Sequence, residues 1–217
     1  MRRALSRQRG SLRAVRRYKR DGASQPRPAK RRSEARERLL ETASQLFYAE
    51  GINSVGVERI VKEAQVTLAT LYRHFPSKVD LAVAYLQGAH DHIAAHATEQ
   101  ADRLQGRDLV RAIGDDVTSQ IRQAAFRGCA FLNAASEFED PHSPVRQVVA
   151  EHRRWYYQLI HQAFADAGHA LPANAARHFV MLRDGAMSAA YLDTPTIATR
   201  TFARGVDGLI RTIDTVP

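Results

Sequence analysis

The chain has 217 residues, 44% of them hydrophobic and 25% charged, with one cysteine and a formal net charge of +9. That is enough apolar chain for one compact domain or two small ones, and a lone thiol excludes a disulfide framework or a CxxC zinc or redox site. No apolar run reaches the roughly eighteen residues that span a bilayer and no apolar secretory segment follows the basic N-terminus, so a soluble chain in the reducing cytoplasm, without a membrane partner, is expected.

The first element in chain order is a basic arm. Residues 1–32 hold thirteen of the 32 Lys and Arg residues and one acid, Asp21, a net +12; residues 33–217 hold the other 19 bases and 22 acids. Low apolar content, with Pro26 and Pro28, leaves the arm unable to bury enough surface to offset the entropy of ordering. A disordered basic arm that meets a polyanion, nucleic acid above all, is expected over 1–32. Leu5, Leu12, Val15 and Tyr18 would also line one side of a transient basic helix, the form taken by membrane-surface and transit segments.

From Ser33 the apolar periodicity is helical, and no stretch sustains strand alternation. The pattern predicts helices over about 34–50 and 57–64, a short segment after a tight turn, then about 78–99, 108–125, 129–138, 144–167, 173–192 and 196–213, with glycine and proline at the breaks. The first carries Leu39, Ala43, Leu46 and Phe47 on one stripe and stops at Gly51, a left-handed terminator. The second turns Val57, Ile60, Val61 and Ala64 inward. The third lies in VTLATLYRHFPSK, residues 66–78, and offers only Leu71 and Phe75 as an apolar face. The expected fold is all-α: a three-helix helix-turn-helix domain over 33–77 and a helical bundle over 78–217, about nine helices in all.

Two short helices joined by a tight turn, the second exposing Thr, Tyr and His, form the arrangement in which the second helix enters the major groove of DNA. Thr67 suits the N-cap of that helix. Ser77, with Asp80 three residues on, reads as a capping box that starts the next helix and aims its amino end and Lys78 at the same DNA backbone. Residues 33–80 hold six bases and seven acids, so long-range attraction to DNA falls to the arm, whose root-mean-square reach is about 30 Å.

The stretch ARERLLETASQLFYAEGINSVGVERIVKEAQVTLATLYRHFPSKVDL resembles the DNA-binding domain of the TetR family of bacterial transcriptional regulators. Its R-x-x-L-x-x-A-x-x-L-F opening, the Gly51 turn, the I-V-x-x-A-x-V-T helix pair and T-L-Y-R-H-F-P-S-K carry the resemblance. The chain differs at Gly56, where the family usually has Ser or Thr, at Gln65, where Gly is usual, and at Ala69, where Gly is common. The resemblance implies phosphate contacts by Thr67, Thr70, Tyr72, His74 and Lys78, with Leu68, Ala69, Thr70 and Arg73 nearest to base edges. Leu and Ala read only thymine methyls or shape, so modest direct discrimination is expected. The competing reading of Tyr72 and His74 is that they cover the small core.

Further on, RGCAFLNAASEFED, residues 127–140, is similar to a G-C-x-F-x-N-A-A-x-E-F segment in the ligand-binding domains of one TetR subgroup. On a helix Cys129, Leu132, Asn133, Ser136 and Glu137 share one broad face that mixes polar and apolar groups, as an oriented small-molecule pocket requires. Phe126, Trp155 and Tyr156 are candidates for its apolar wall. The blander readings are helix-helix hydrogen bonding for Asn133 and Glu137, inert packing for Cys129, and core for the aromatics.

The last two helices are rich in Ala and Gly, and the resemblance implies that they pair with a second copy in a four-helix interface. It implies a homodimeric, nucleoid-associated repressor that a small-molecule effector releases from a palindromic double-stranded operator, with no cofactor, no metal and no enzymatic activity. One alternative is an architectural DNA-binding protein that uses the basic arm without any effector. Another is a metal-dependent helical enzyme, in which His92 and His96 at i and i+4 would be joined by His152 or His161. No HExxH, phosphate loop or nucleophile elbow accompanies those histidines.

Overall fold

Capping and apolar spacing set the helix boundaries. Described from a computed structural model over residues 34–213, the chain runs as α1 (Glu34–Glu50), α2 (Val57–Glu63), α3 (Leu68–His74), α4 (Lys78–Ala101), α5 (Gly106–Ile121), α6 (Ala130–Glu137), α7 (Pro144–Asp166), α8 (Pro172–Leu192) and α9 (Pro195–Arg211). The fold is all-α, with nine helices and no strand among the described residues. The arm expected over 1–32 lies outside the described residues. Ala35 and everything described after it belong to one compact unit.

The helices α7, α8 and α9 each begin on a proline, whose fixed φ suits the first helical position and whose missing N–H is one the helix would leave unpaired. Ser143 caps α7 by accepting from the Arg146 amide at 3.3 Å. Gly51 ends α1 at φ +92°, its amide bonded to the Phe47 carbonyl at 3.0 Å, as the sequence predicts. The expected break near Gly106 falls at 102–105, and Gly106 forms the first residue of α5. At φ +56° it has the Cα of Ala167 only 3.1 Å from where a Cβ would stand, so the glycine lets the start of α5 lie on the end of α7. The same helix stops at Ile121, short of 125, where Gln123 and Phe126 turn to bonds with the carbonyls three residues back.

The apolar stripes build a continuous core. Leu39, Ala43, Leu46 and Phe47 of α1 meet Ile52, Val55, Ile60, Leu71 and Phe75, all buried. In the bundle α9 packs on α8 and α5, and α7 packs on α4, α5, α6 and α8. Phe131, Phe164, Phe179 and Phe202 are among the largest fully buried side chains. Small residues permit the closest crossings: a Cβ on Gly205 would stand 2.9 Å from Leu182, and one on Gly114 3.3 Å from Val206. These glycines serve packing within the chain.

Candidate nucleic-acid interface and interior polar cluster

A helix of seven residues needs outside help to hold its shape, and α3 has it at both ends. The Thr67 hydroxyl accepts from the Thr70 amide at 3.2 Å and pairs with the Thr70 hydroxyl at 2.9 Å. Leu71 is the one buried residue of α3, and Phe75 closes the turn under the Arg36 guanidinium, 5.0 Å from the ring centroid. The remainder faces outward. Leu68 is 40% and Tyr72 45% exposed, Thr67, Ala69 and Arg73 are exposed, and Thr70 and His74 are half-buried. Tyr72 therefore does not cover the core, whose inward face Leu71 and Phe75 supply.

The turn into α3 passes through Gln65 at φ +54°. The Val66 amide reaches back to the Val61 carbonyl at 3.0 Å and the Gln65 amide to that of Lys62 at 3.3 Å, a Schellman pattern that demands the left-handed residue at Gln65. Gly56, at the N-cap of α2, gives no side-chain hydrogen bond. At the start of α4 the Ser77 hydroxyl accepts from the Asp80 amide at 3.1 Å and donates to the Asp80 carboxylate at 2.7 Å. The half-buried Lys78 donates to the Asn53 carbonyl at 3.2 Å. Arg59 is occupied by Glu50 and Glu63, which raise its pKa, and Arg38 donates to the Ala64 carbonyl at 3.4 Å.

Two ties join α1 and its loop to α6 and the segment before it. The Tyr48 hydroxyl accepts from the Arg127 amide at 2.9 Å and donates to the Gly128 carbonyl at 3.1 Å. At the other end of α6 the Glu137 carboxylate accepts from the Ile52 amide at 3.0 Å and the Asn53 amide at 2.6 Å, and Asn53 Nδ2 donates to the Glu137 carbonyl at 3.0 Å. One carboxylate thus takes up two backbone donors just past the end of α1. A Cβ at Gly51 would stand 3.1 Å from Glu137 Oε1.

Inside the bundle lies a polar group that few soluble cores tolerate. His152 on α7 is 2% exposed, stacked on Phe131 with centroids 3.6 Å apart, and its Nδ1 is 3.1 Å from His90 Nδ1, so one of the two nitrogens carries the shared proton. Burial, reinforced by the charges of Arg183 and His90, presses the His152 pKa down to about 3 and keeps the ring neutral. Arg183 on α8, 6% exposed, donates from Nη1 to Asp184 at 2.9 Å and from Nη2 to the Cys129 sulfur at 3.3 Å, with its guanidinium 5.2 Å from the Tyr156 ring centroid. Burial works against that cation, and Cys129, Tyr156 and Asp184 more than offset it. Asp184 also accepts from Arg153 at 2.7 Å, so two guanidinium groups share one carboxylate. Burial pushes the Tyr156 phenol up to about 12 and raises that of Tyr85.

Comparison with known proteins follows the same division. Residues 39–85 match the family model for bacterial regulatory proteins of the tetR family, and residues 106–206 match that for a tetracyclin repressor-like C-terminal domain. A solved TetR-family transcriptional regulator from Streptomyces coelicolor is 48% identical, over 85% of this chain and 98% of its own, with a TM-score of 0.81. The chain belongs to the TetR family. A TetR regulatory protein from Rhodobacter sphaeroides is 26% identical over 80% of this chain and 99% of its own, with a TM-score of 0.67. An HTH-type transcriptional regulator from Staphylococcus aureus is 33% identical over 89 residues, 41% of this chain and 48% of that one. The chain spans about half the length of the curated relatives it matches. As a TetR-family member it is a DNA-binding transcriptional regulator, and not an enzyme.

In this TetR-family chain, Thr67, Leu68, Ala69, Thr70, Tyr72, Arg73, His74 and Lys78 lie on α3, at its cap or at the start of α4. Of the seven residues expected around an effector, Cys129, Trp155 and Tyr156 adjoin the interior cluster, with the Trp155 ring 5.7 Å from His152. Phe126 and Leu132 are half-buried against the core. Asn133 and Glu137 use their side chains elsewhere: Asn133, exposed, donates to the Arg127 carbonyl at 2.8 Å, and Glu137 holds the α1 loop. The histidines of the metal reading are dispersed. His96 pairs with Asp116 at 3.1 Å and His161 lies against Tyr157, and among the described residues no group of three His, Cys, Asp or Glu is placed to hold a metal. Nor is any described helix long and apolar enough to cross a membrane.

Sequence reasoning missed His152, Arg183 and Tyr85 as members of one group. The available signal was Arg183 itself, which occupies the buried stripe of α8 with Phe179, Ala186, Met187 and Ala190. A cation on an apolar stripe calls for a partner. A surface hollow of about 440 Å³ beside α9, lined by Arg122, Arg200 and Arg204 among others, includes none of these residues.

Proposed function

We propose that this TetR-family regulator is a cytoplasmic, nucleoid-associated homodimeric repressor, released from a palindromic operator by a small-molecule effector. Residues 33–77 serve as the DNA-binding domain, 78–217 as the effector-binding and dimerisation domain, and 1–32 as a basic arm along flanking DNA. The outward side of α3 carries this reading. Leu68 and Tyr72 stand in solvent on a helix capped at both ends, which suits a surface that meets another molecule. Thr67, Thr70, Tyr72, His74 and Lys78 then hold phosphates, while Leu68, Ala69, Thr70 and Arg73 lie at base edges.

A second copy would cover the exposed stripe of α8. Met181 is 71% exposed and Leu192 77%, and a Cβ on Gly185 between them would meet nothing within 4 Å. Ile197, at the start of α9, extends the patch. Pairing through α8 and α9 places two reading helices about one DNA turn, roughly 34 Å, apart. An effector that prefers the conformation with badly spaced heads weakens operator binding by its differential affinity. The lever is α4, and the Glu137 bonds to the α1 loop make α6 a second connection.

Binding-site selection from random DNA, at two salt concentrations, tests this function. The expected product is a palindrome with half-sites one turn, or a near multiple, apart. Equal affinity for random and selected DNA would refute it in favour of an architectural role.

A further inference from the structure

Resting on the reading of an effector-binding interior, we propose that the effector is a small organic carboxylate with a planar or short apolar body, held among Tyr85, His152, Tyr156 and Arg183 at the amino end of α6. Among the described residues, buried polar side-chain atoms without a hydrogen-bond partner include Tyr85 Oη, His152 Nε2 and Arg183 Nε. Those three residues are 7%, 2% and 6% exposed, and buried polar atoms of this kind call for a partner. Three elements bring them together: Arg183 of α8 bonds the Cys129 sulfur at 3.3 Å and lies 5.2 Å from the Tyr156 ring centroid, that ring is 6.1 Å from the His152 ring on α7, and Tyr85 of α4 lies within the electrostatic reach of Cys129.

The chemistry selects an oxyanion. A phenol hydroxyl and a guanidinium N–H are donors, and the imidazole offers a third when its Nδ1 accepts the His90 proton. Asp184 neutralises only one of the two arginines it touches, and Cys129, at the N-cap of α6, gives that helix no side-chain cap. A buried guanidinium, the positive end of a helix and donors lacking acceptors suit a carboxylate, whose two oxygens accept several bonds. A cation would meet the like charge of Arg183. The rings of Trp155, Tyr156 and Phe131 provide the apolar surround, and Trp155, half-buried, marks the side nearest solvent.

The test uses the full chain with benzoate, phenylacetate and butyrate, each beside its neutral amide, read by thermal shift, calorimetry and operator binding. At ten times its Kd an acid should raise Tm by about 3 °C, and its amide should not. Tyr85→Phe removes an unpartnered buried hydroxyl, so it should raise the ligand-free Tm yet weaken the acid about tenfold; Arg183→Lys, which keeps the charge and loses Nε, should weaken it further. Failure of all three acids to bind at about 10 mM, equal binding of amides, or unchanged affinity in Tyr85→Phe would overturn the proposal. Operator release by the amides alone would overturn the carboxylate and leave the effector reading standing. An acid that binds through Tyr85 and Arg183 without altering operator affinity would keep the site and remove the effector reading.

Discussion

Gln65 carries a backbone strain that its neighbours impose. Two reverse hydrogen bonds at the end of α2 require a left-handed residue at φ +54°, which costs a side-chain-bearing residue about 1–2 kcal/mol, partly offset by the lower unfolded entropy of a non-glycine. Gln65→Gly should therefore stabilise the chain by roughly 0.5–1 kcal/mol in chemical denaturation. Thr67→Val, which removes the cap bond to the Thr70 amide, should cost about 1 kcal/mol and weaken operator binding in a titration. His152 makes a prediction in pH. Its folded pKa of about 3 lies below the ordinary 6.5, so below that value the unfolded chain takes up a proton that the folded chain refuses. Its contribution is complete above pH 6.5 and falls by about 1.4 kcal/mol per unit as pH drops toward 3. His152→Phe should flatten stability between pH 6.5 and 4.5 in urea melts; an unaltered slope would count against a neutral buried ring.

Among the elements, α6 carries hydrogen bonds between the two parts of the chain. It has eight residues, follows its N-cap Cys129 beside the buried arginine and ends at Glu137 on the α1 loop. Removing the Glu137 carboxylate leaves two amides without an acceptor, a cost of about 1–3 kcal/mol where they are shielded from water and less where the loop is solvated. Glu137→Ala should leave the chain folded and operator binding intact, while the response to an effector falls; paired operator titrations with and without effector read both. The sequence made α6 legible as a helix with Cys129, Asn133 and Glu137 at helical spacing. It did not show which neighbour each would meet. Spacing along one helix tells which side chains share a face, whereas the Glu137 partners lie more than eighty residues away and depend on how α1 sits beside α6.

For the whole molecule, the proposal separates attraction from recognition. The arm carries a net +12 while residues 33–217 are slightly acidic, so deleting residues 1–32 should flatten the dependence of operator affinity on salt, each lost phosphate contact removing about 0.9 from the log–log slope. An unchanged slope would assign the attraction to the helical head. A charge at the exposed α8 stripe, as in Leu192→Glu with Met181→Glu, should yield monomers by sedimentation and weaken operator binding even with α3 intact. By itself the sequence determined most of the helices, the Thr67 and Ser77 caps and the Gly51 stop, because 3.6-residue periodicity and such caps act within a few residues of chain, and its motifs carried the resemblance to the TetR family. Tertiary structure alone decided that Gly106 packs against the end of α7, that Glu137 serves the α1 loop, and that Arg183 meets Cys129 and Tyr156 beside His152. These are contacts between helices far apart in sequence, set by how whole apolar faces bury against one another, and no local pattern encodes them.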